Sequence, residues 1–280
     1  MKAKLTILFT LVSLLVGLTA SAKEINSALD VMTFEDSFTC QDKFPHHSFC
    51  EAVEFKPWSA ADKEIVSRYL QNINDPRLKF LLQTIQEKGI TKLHRVGYTS
   101  SWSNNMAQRR VEFHRTAEKA ILWVNPVTHV IGFTDAFFNG TPFVDPYAKV
   151  ERKQLNVFHE LVHVYDIALN HISTEDGFKK AAGWEWNGKE FVIHGVDYNQ
   201  VKADFSAILA LVKNKQSALA YAQDRERGRT YGFPTVYGMT NSHESFAEVI
   251  TYYIFDPTAE SYYSKELTEY VKEVLKVDGR

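Results

Sequence analysis

The side chains best equipped for chemistry stand at His159, Glu160 and His163, in the run Asn156-Val157-Phe158-His159-Glu160-Leu161-Val162-His163-Val164-Tyr165-Asp166. The run holds no helix breaker. On a helix, histidines four positions apart lie one turn above each other, so their ring nitrogens can meet at one point. Two such nitrogens supply half of a tetrahedral zinc site. Glu160 sits about 100° further round the same helix, where a carboxylate can take a proton from water beside a metal without binding the metal itself. The alternative, two histidines lining an ordinary polar face, leaves the glutamate between them unexplained.

A catalytic zinc also needs a third protein ligand and an open position. A metzincin would carry a third histidine six residues after His163, and this chain has Leu169 there. His171 comes two residues too late, and Asp166 stands where that motif has glycine, so the metzincin pattern is excluded. Asp166 lies three residues beyond His163 on the face of both histidines, which makes it a candidate to orient one of them by a hydrogen bond.

Further along the chain comes Tyr237-Gly238-Met239-Thr240-Asn241-Ser242-His243-Glu244-Ser245-Phe246-Ala247-Glu248, opening an apolar helical run. With the upstream His-Glu-x-x-His, this Tyr-Gly-x-x-Asn-x-x-Glu-x-Phe-Ala-Glu stretch resembles the catalytic domain of anthrax lethal factor and its relatives, including the secreted Pro-Pro endopeptidases. These are gluzincins, zinc peptidases with a glutamate as third ligand. The resemblance implies a zincin-like fold, one Zn2+ held by His159, His163 and Glu244, and a Tyr237 hydroxyl directed into the site. It also implies that Glu248, one turn after Glu244, orients a ligand. It covers the two motif stretches and nothing in residues 23–146, and it carries no substrate preference.

The residues themselves leave other readings open. Asn241 followed three positions later by Glu244 is also a helix-capping pattern. His243 and Glu248 are alternative third ligands, and Tyr237 is equally a packed aromatic with a satisfied hydroxyl. Arg225, Arg227 and Arg229 are either a basic patch beside a cleft or a solvated helix face. Trp184 and Trp186 either line a groove or pin a hairpin.

The elements that must position these residues read as follows. Helices are expected from Ser59 to Ile73 and from Pro76 to Lys88, the second ended by Gly89. Short β-branched and aromatic runs at Lys92 to Tyr98, Arg110 to His114, Ala120 to Val124 and Val130 to Phe138 predict a small sheet. From Tyr147 the chain reads as helical through the motif to Asn170, then over Thr174 to Ala182, Asn199 to Lys213, Ser217 to Arg227, Ser242 to Ile254 and Tyr262 to Lys276. A hairpin at Trp186-Asn187-Gly188-Lys189 interrupts it, because Asn-Gly suits a tight primed turn. Sheet first and helices after, with no βαβ rhythm, gives the α+β class. The family resemblance further implies that a strand at the sheet edge pairs with an extended substrate, and Val130 to Phe138 is the run expected to border the cleft in that way.

The chain is 280 residues long and 45% hydrophobic, enough for one large domain with a sizeable core. Met1-Lys2-Ala3-Lys4, an apolar run from Leu5 and the ending Ala20-Ser21-Ala22 predict a secretory signal peptide over residues 1–22. The run is short for a membrane span, and no cysteine follows it for a lipid anchor. Removing it leaves 30 basic against 34 acidic residues, and nothing points to nucleic acid. In an oxidising compartment Cys40 and Cys50 are expected to form a disulfide, although His46 and His47 between them admit a metal site. A loop-rich segment over residues 23–57 would then precede a single zincin-like catalytic domain over 58–280.

The function expected is an exported, periplasmic or secreted zinc endopeptidase acting on peptides or proteins, with Glu160 as general base. The alternatives are a zinc hydrolase of another amide, such as a cell-wall peptide, and a non-enzymatic binding protein of zincin fold. The sequence carries no signal for oligomeric state and no membrane span after signal removal.

Overall fold

The computed structural model describes residues 25–36, 38, 53–71, 73–98, 122–124 and 131–277. The signal segment, Cys40, Cys50, His46, His47 and the run Arg110 to His114 lie outside the described residues. Among those described, no helix is long and apolar enough to cross a membrane.

The class is α+β. The sheet centres on β3 (Lys92–Tyr98), with β1 (Thr33–Glu35) parallel and β2 (Val53–Lys56) antiparallel along one edge. Along the other edge β5 (Ile131–Phe133) runs parallel to β3, and β4 (Leu122–Val124) follows, antiparallel to β5. Two helices intervene between β2 and β3. α1 (Ala60–Leu70) begins where Ser59 accepts from the Asp62 amide, and α2 (Pro76–Glu87) where Asp75 accepts from the Arg77 amide. Pro76 takes the first turn of α2, where a missing N–H costs nothing.

Two expectations about this half are corrected. The segment read as loop-rich, residues 23–57, contributes β1 and β2 to the sheet. In the run Val130 to Phe138, whose first residue lies outside the described ones, the strand β5 ends at Phe133 and the chain then coils into α3 (Asp135–Asn139). A continued strand would send Phe137 and Phe138 to opposite faces. The turn into helix instead buries Phe137 edge-on against Phe133 and Tyr69, while Phe138 meets Trp58. Asp135 opens the helix and pairs with Lys56 and Arg95. β5 lies between β3 and β4, so β4 is the edge strand on that side among the described residues.

The remaining chain is mainly helical: α4 (Arg152–Ala168), α5 (Asp176–Ala181), α6 (Tyr198–Lys213), α7 (Ser217–Thr230), α8 (Ser242–Phe255) and α9 (Lys265–Val274). The hairpin strands β6 (Trp184–Trp186) and β7 (Phe191–Ile193) interrupt them. Its loop is longer than the two-residue turn expected. Asn187 keeps a negative φ and its Oδ1 accepts from the amides of Lys189 and Glu190, while Gly188 takes the positive φ. One apolar cluster joins both halves, running from Trp58 and Leu82 through Phe158 and Leu161 to Phe246 and Val271. Burying each of these large side chains contributes roughly 1.5–3 kcal/mol, so packing more than helix propensity holds α4 in place.

Candidate metal centre

The centre is built on two packed helices. α4 has neither Gly nor Pro, and Leu155, Phe158, Leu161, Val162 and Tyr165 are buried along it. Its neighbours therefore cover most of its circumference, and His159 and His163 occupy the gap facing α8. Their rings stand edge to face with centroids 4.7 Å apart, and the two Nε2 atoms are separated by 3.1 Å.

α8 brings Glu244 to the same point. Asn241 caps the helix by accepting from the Glu244 amide at 3.0 Å, yet the Glu244 carboxylate turns inward instead of returning to the cap. Its Oε2 lies 3.1 Å from His159 Nε2 and 3.3 Å from His163 Nε2. A tetrahedral site with bonds of about 2.0–2.1 Å has ligand atoms about 3.3–3.4 Å apart. Two imidazole nitrogens and one carboxylate oxygen at these separations fit a zinc ion, with one direction left open. Burial works against the charge on Glu244, but His163 and His159 outweigh it and hold the carboxylate well below its usual range. Burial likewise opposes a charged His159, and Glu244 and Glu248 overcome it, moving the imidazole up to about 10 without a metal.

Glu248, one turn further along α8, backs His159 from the other side. Its Oε1 lies 3.0 Å from His159 Nδ1, and neither buried atom has a better-placed partner among the described residues. Thr235 Oγ1 donates to Glu248 Oε2 at 2.9 Å and accepts from the Gly238 amide at 2.9 Å. Burial pushes the Glu248 carboxyl up, and His159, Arg152 and Thr235 together keep it below the ordinary value. A carboxylate so placed fixes which nitrogen of His159 points at the metal position.

The approach to Tyr237 is set by the end of α7. Gly232 has a left-handed φ of 84°, its amide bonds Arg229 O, and the Phe233 amide bonds Gly228 O at 3.0 Å. This is a Schellman end, which reverses the chain. The returning segment lies against α7 so closely that the Val236 amide bonds Asp224 O and the Tyr237 amide bonds Asp224 Oδ1. Tyr237 thus enters a short 3-10 turn, Tyr237–Met239, with its ring 6.2 Å from that of His159. Burial, with Glu244 and Glu160 beside it, raises its hydroxyl well above the usual phenol range, so the group stays a donor.

Glu160 faces the sheet edge. Burial raises its pKa against the pull of His159 and His163, while the nearby Val124 backbone on β4, a strand packed against α4, favours the charged form. The strand bordering the site is therefore β4, and not the Val130 to Phe138 run.

Asp166 does not reach either motif histidine. It accepts from the amide and hydroxyl of Ser173 at 2.9 and 2.6 Å and approaches His243, 3.4 Å from its Nδ1. The expectation that it orients a ligand is corrected, and His243 sits in this second cluster and outside the centre. Arg225 is neither patch nor solvated face: fully buried, it pairs with Asp145 and Asp256 at 2.9 and 2.6 Å and stacks on Tyr252. Arg229 pairs with Asp256 and Arg227 with Asp204. Trp184 is buried with its indole N–H 3.3 Å from Ser245 Oγ, which pins the hairpin to α8, while Trp186 is exposed. The sequence reading missed Thr235 and Asp224. The only local sign of either is a buried-spacing aspartate in α7 and a threonine close before Tyr237.

No known family model matches the chain, and neither a curated protein nor a solved structure matches it.

Proposed function

We propose that the chain is a zinc-dependent endopeptidase of gluzincin type and zincin-like fold, exported by its first 22 residues to a periplasm or the cell exterior. The observation that carries the reading is the meeting of His159 Nε2, His163 Nε2 and Glu244 Oε2 within 3.1–3.3 Å of one another, with Glu160 alongside. When bound there, zinc supplies Lewis-acid activation of water and of the scissile carbonyl. Glu160 takes the proton from the attacking water and passes it to the leaving amine. Burial raises the Glu160 carboxyl and so strengthens it as the base that takes the proton from water. Tyr237, held protonated, donates to the oxyanion that develops on the substrate. Glu248 keeps His159 oriented throughout. The outer edge of β4, beside Glu160, is where an extended substrate backbone would pair.

The test is cleavage of a mixed peptide library followed by mass spectrometry, using residues 23–280 and the Glu160→Gln variant. The native chain should cut, a chelator should stop it, and Glu160→Gln should lose about 10²- to 10⁴-fold while keeping its zinc. Undiminished cutting by Glu160→Gln, or a zinc-loaded native chain inert on every peptide, would overturn the proposal.

A further inference from the structure

A second set of metal-type donors lies one turn beyond the first, on the same pair of helices. Asp166 Oδ2 is 3.4 Å from His243 Nδ1 and 3.9 Å from His171 Nδ1. One ligand atom from each of the three residues falls within 4.8 Å of the others. The rings of His171 and His243 stand at 90° with centroids 6.2 Å apart. Three separate pieces of chain are involved: the last turn of α4, the turn after it and the first turn of α8. Asn170 and His171 both take left-handed φ values near 60°, which swings His171 back over Asp166.

We propose that Asp166, His171 and His243 bind a second divalent ion of zinc type, which fastens the start of α8 to the end of α4. Two imidazoles and one carboxylate form a donor set for zinc-like ions, whereas calcium and magnesium take oxygen ligands. Asp166 is the buried anchor, 2% exposed. His171 and His243 are 42% and 47% exposed in their side chains, so water can complete the shell. Ligand atoms around zinc stand about 3.3–3.4 Å apart; Asp166 and His243 already meet that, and a small rotation of the surface side chain of His171 closes the remainder. Ser173 Oγ, 2.6 Å from Asp166 Oδ2, keeps the carboxylate aimed while the ion takes the place of its 2.9 Å contact with His243. Since His243 adjoins Glu244, an ion here would also stiffen the turn that presents Glu244 to the first centre.

This site does not depend on the peptidase reading, and the test separates the two. Metal-free native chain, His163→Ala, His171→Ala and His194→Ala are dialysed against zinc buffered at nanomolar and then at low micromolar free concentration, and bound zinc is measured by elemental analysis. His194 is an exposed histidine with its own carboxylate, Glu185, at 3.1 Å, and serves as the surface control. The native chain and His194→Ala should hold one ion at the lower concentration and two at the higher. His171→Ala should stop at one, His163→Ala should hold only the second, and His171→Cys should regain two. Calcium or magnesium in excess should not displace the second ion. One ion in both native chain and His171→Ala overturns the proposal and leaves the first centre standing, as do two ions in both. Loss of the second ion in His194→Ala overturns it as well, by showing adventitious surface binding.

Discussion

Two acids lie side by side behind the centre, and their environments push them in opposite directions. Glu248 stays ionised in full burial because His159, Arg152 and Thr235 converge on it. Asp224 is buried too, but its near neighbours include the charge on Glu248, and its carboxylate accepts from the backbone amide of Tyr237 at 3.1 Å. Burial and Glu248 therefore dominate and raise it to about 7. The folded chain then holds a proton that an unfolded chain releases from 3.8 upward. Stability contributed by that proton is complete at acid pH and is lost as pH rises through about 7. Asp224→Asn keeps an oxygen to accept from Tyr237 and removes the titration. The native melting temperature should therefore fall more than that of Asp224→Asn between about pH 5 and pH 8, as followed by circular dichroism. Equal falls would show that Asp224 is not the group responsible.

The legibility of individual residues follows the same physics. His159 and His163 were readable because one helical period sets their relation. Asp166 shares that period but not their surroundings: α4 ends two residues later, and the left-handed turn at Asn170 and His171 returns Ser173 to its carboxylate. Position on a helix face gives direction, and what the next segment brings there cannot be read from spacing. Arg225 shows the converse, a charge placed in the core by Asp145, a partner far away in sequence.

At the scale of elements, the reversal between α7 and α8 controls the site, because it carries both Thr235 and Tyr237. Gly228 makes that reversal possible: a Cβ there would stand 2.4 Å from the Thr235 backbone, too close for either to stay in place. Gly228→Ala should cost about 1–3 kcal/mol as overpacking, which lowers the melting temperature by roughly 2–4 °C per kcal/mol in a chain of this size. It should also displace Thr235 from Glu248. An unchanged melting temperature would mean that the segment does not lie on the helix as described. Three helices of this half were legible in part from the capping side chains that open them, Asp197, Asn241 and Ser264, whereas α7 has little apolar patterning of its own. The strands were less so. Ile131 to Phe133 continues into Phe137 and Phe138 with the same aromatic texture, and the pattern alone could not show that burying Phe137 against Phe133 and Tyr69 would favour a turn of helix.

Across the whole molecule, a mixed sheet and a helical half share one core, and the centre sits where the sheet edge at β4 meets the paired helices α4 and α8. That division into sheet and helices is the part of the fold most fully written in the order of the chain. The placement of β1 and β2 within the sheet is the part least so, because both are short and gain their stability by pairing with β3. The same junction explains how a carboxylate on α8 reaches two histidines on α4 across some eighty residues of chain. The most direct measurement is zinc content at nanomolar free zinc, for the native chain and for Glu244→Ala in parallel. One ion in the native chain and little in the variant is the result predicted. A native chain that takes up none, or a Glu244→Ala variant that retains the ion equally well, would contradict the assignment of the centre.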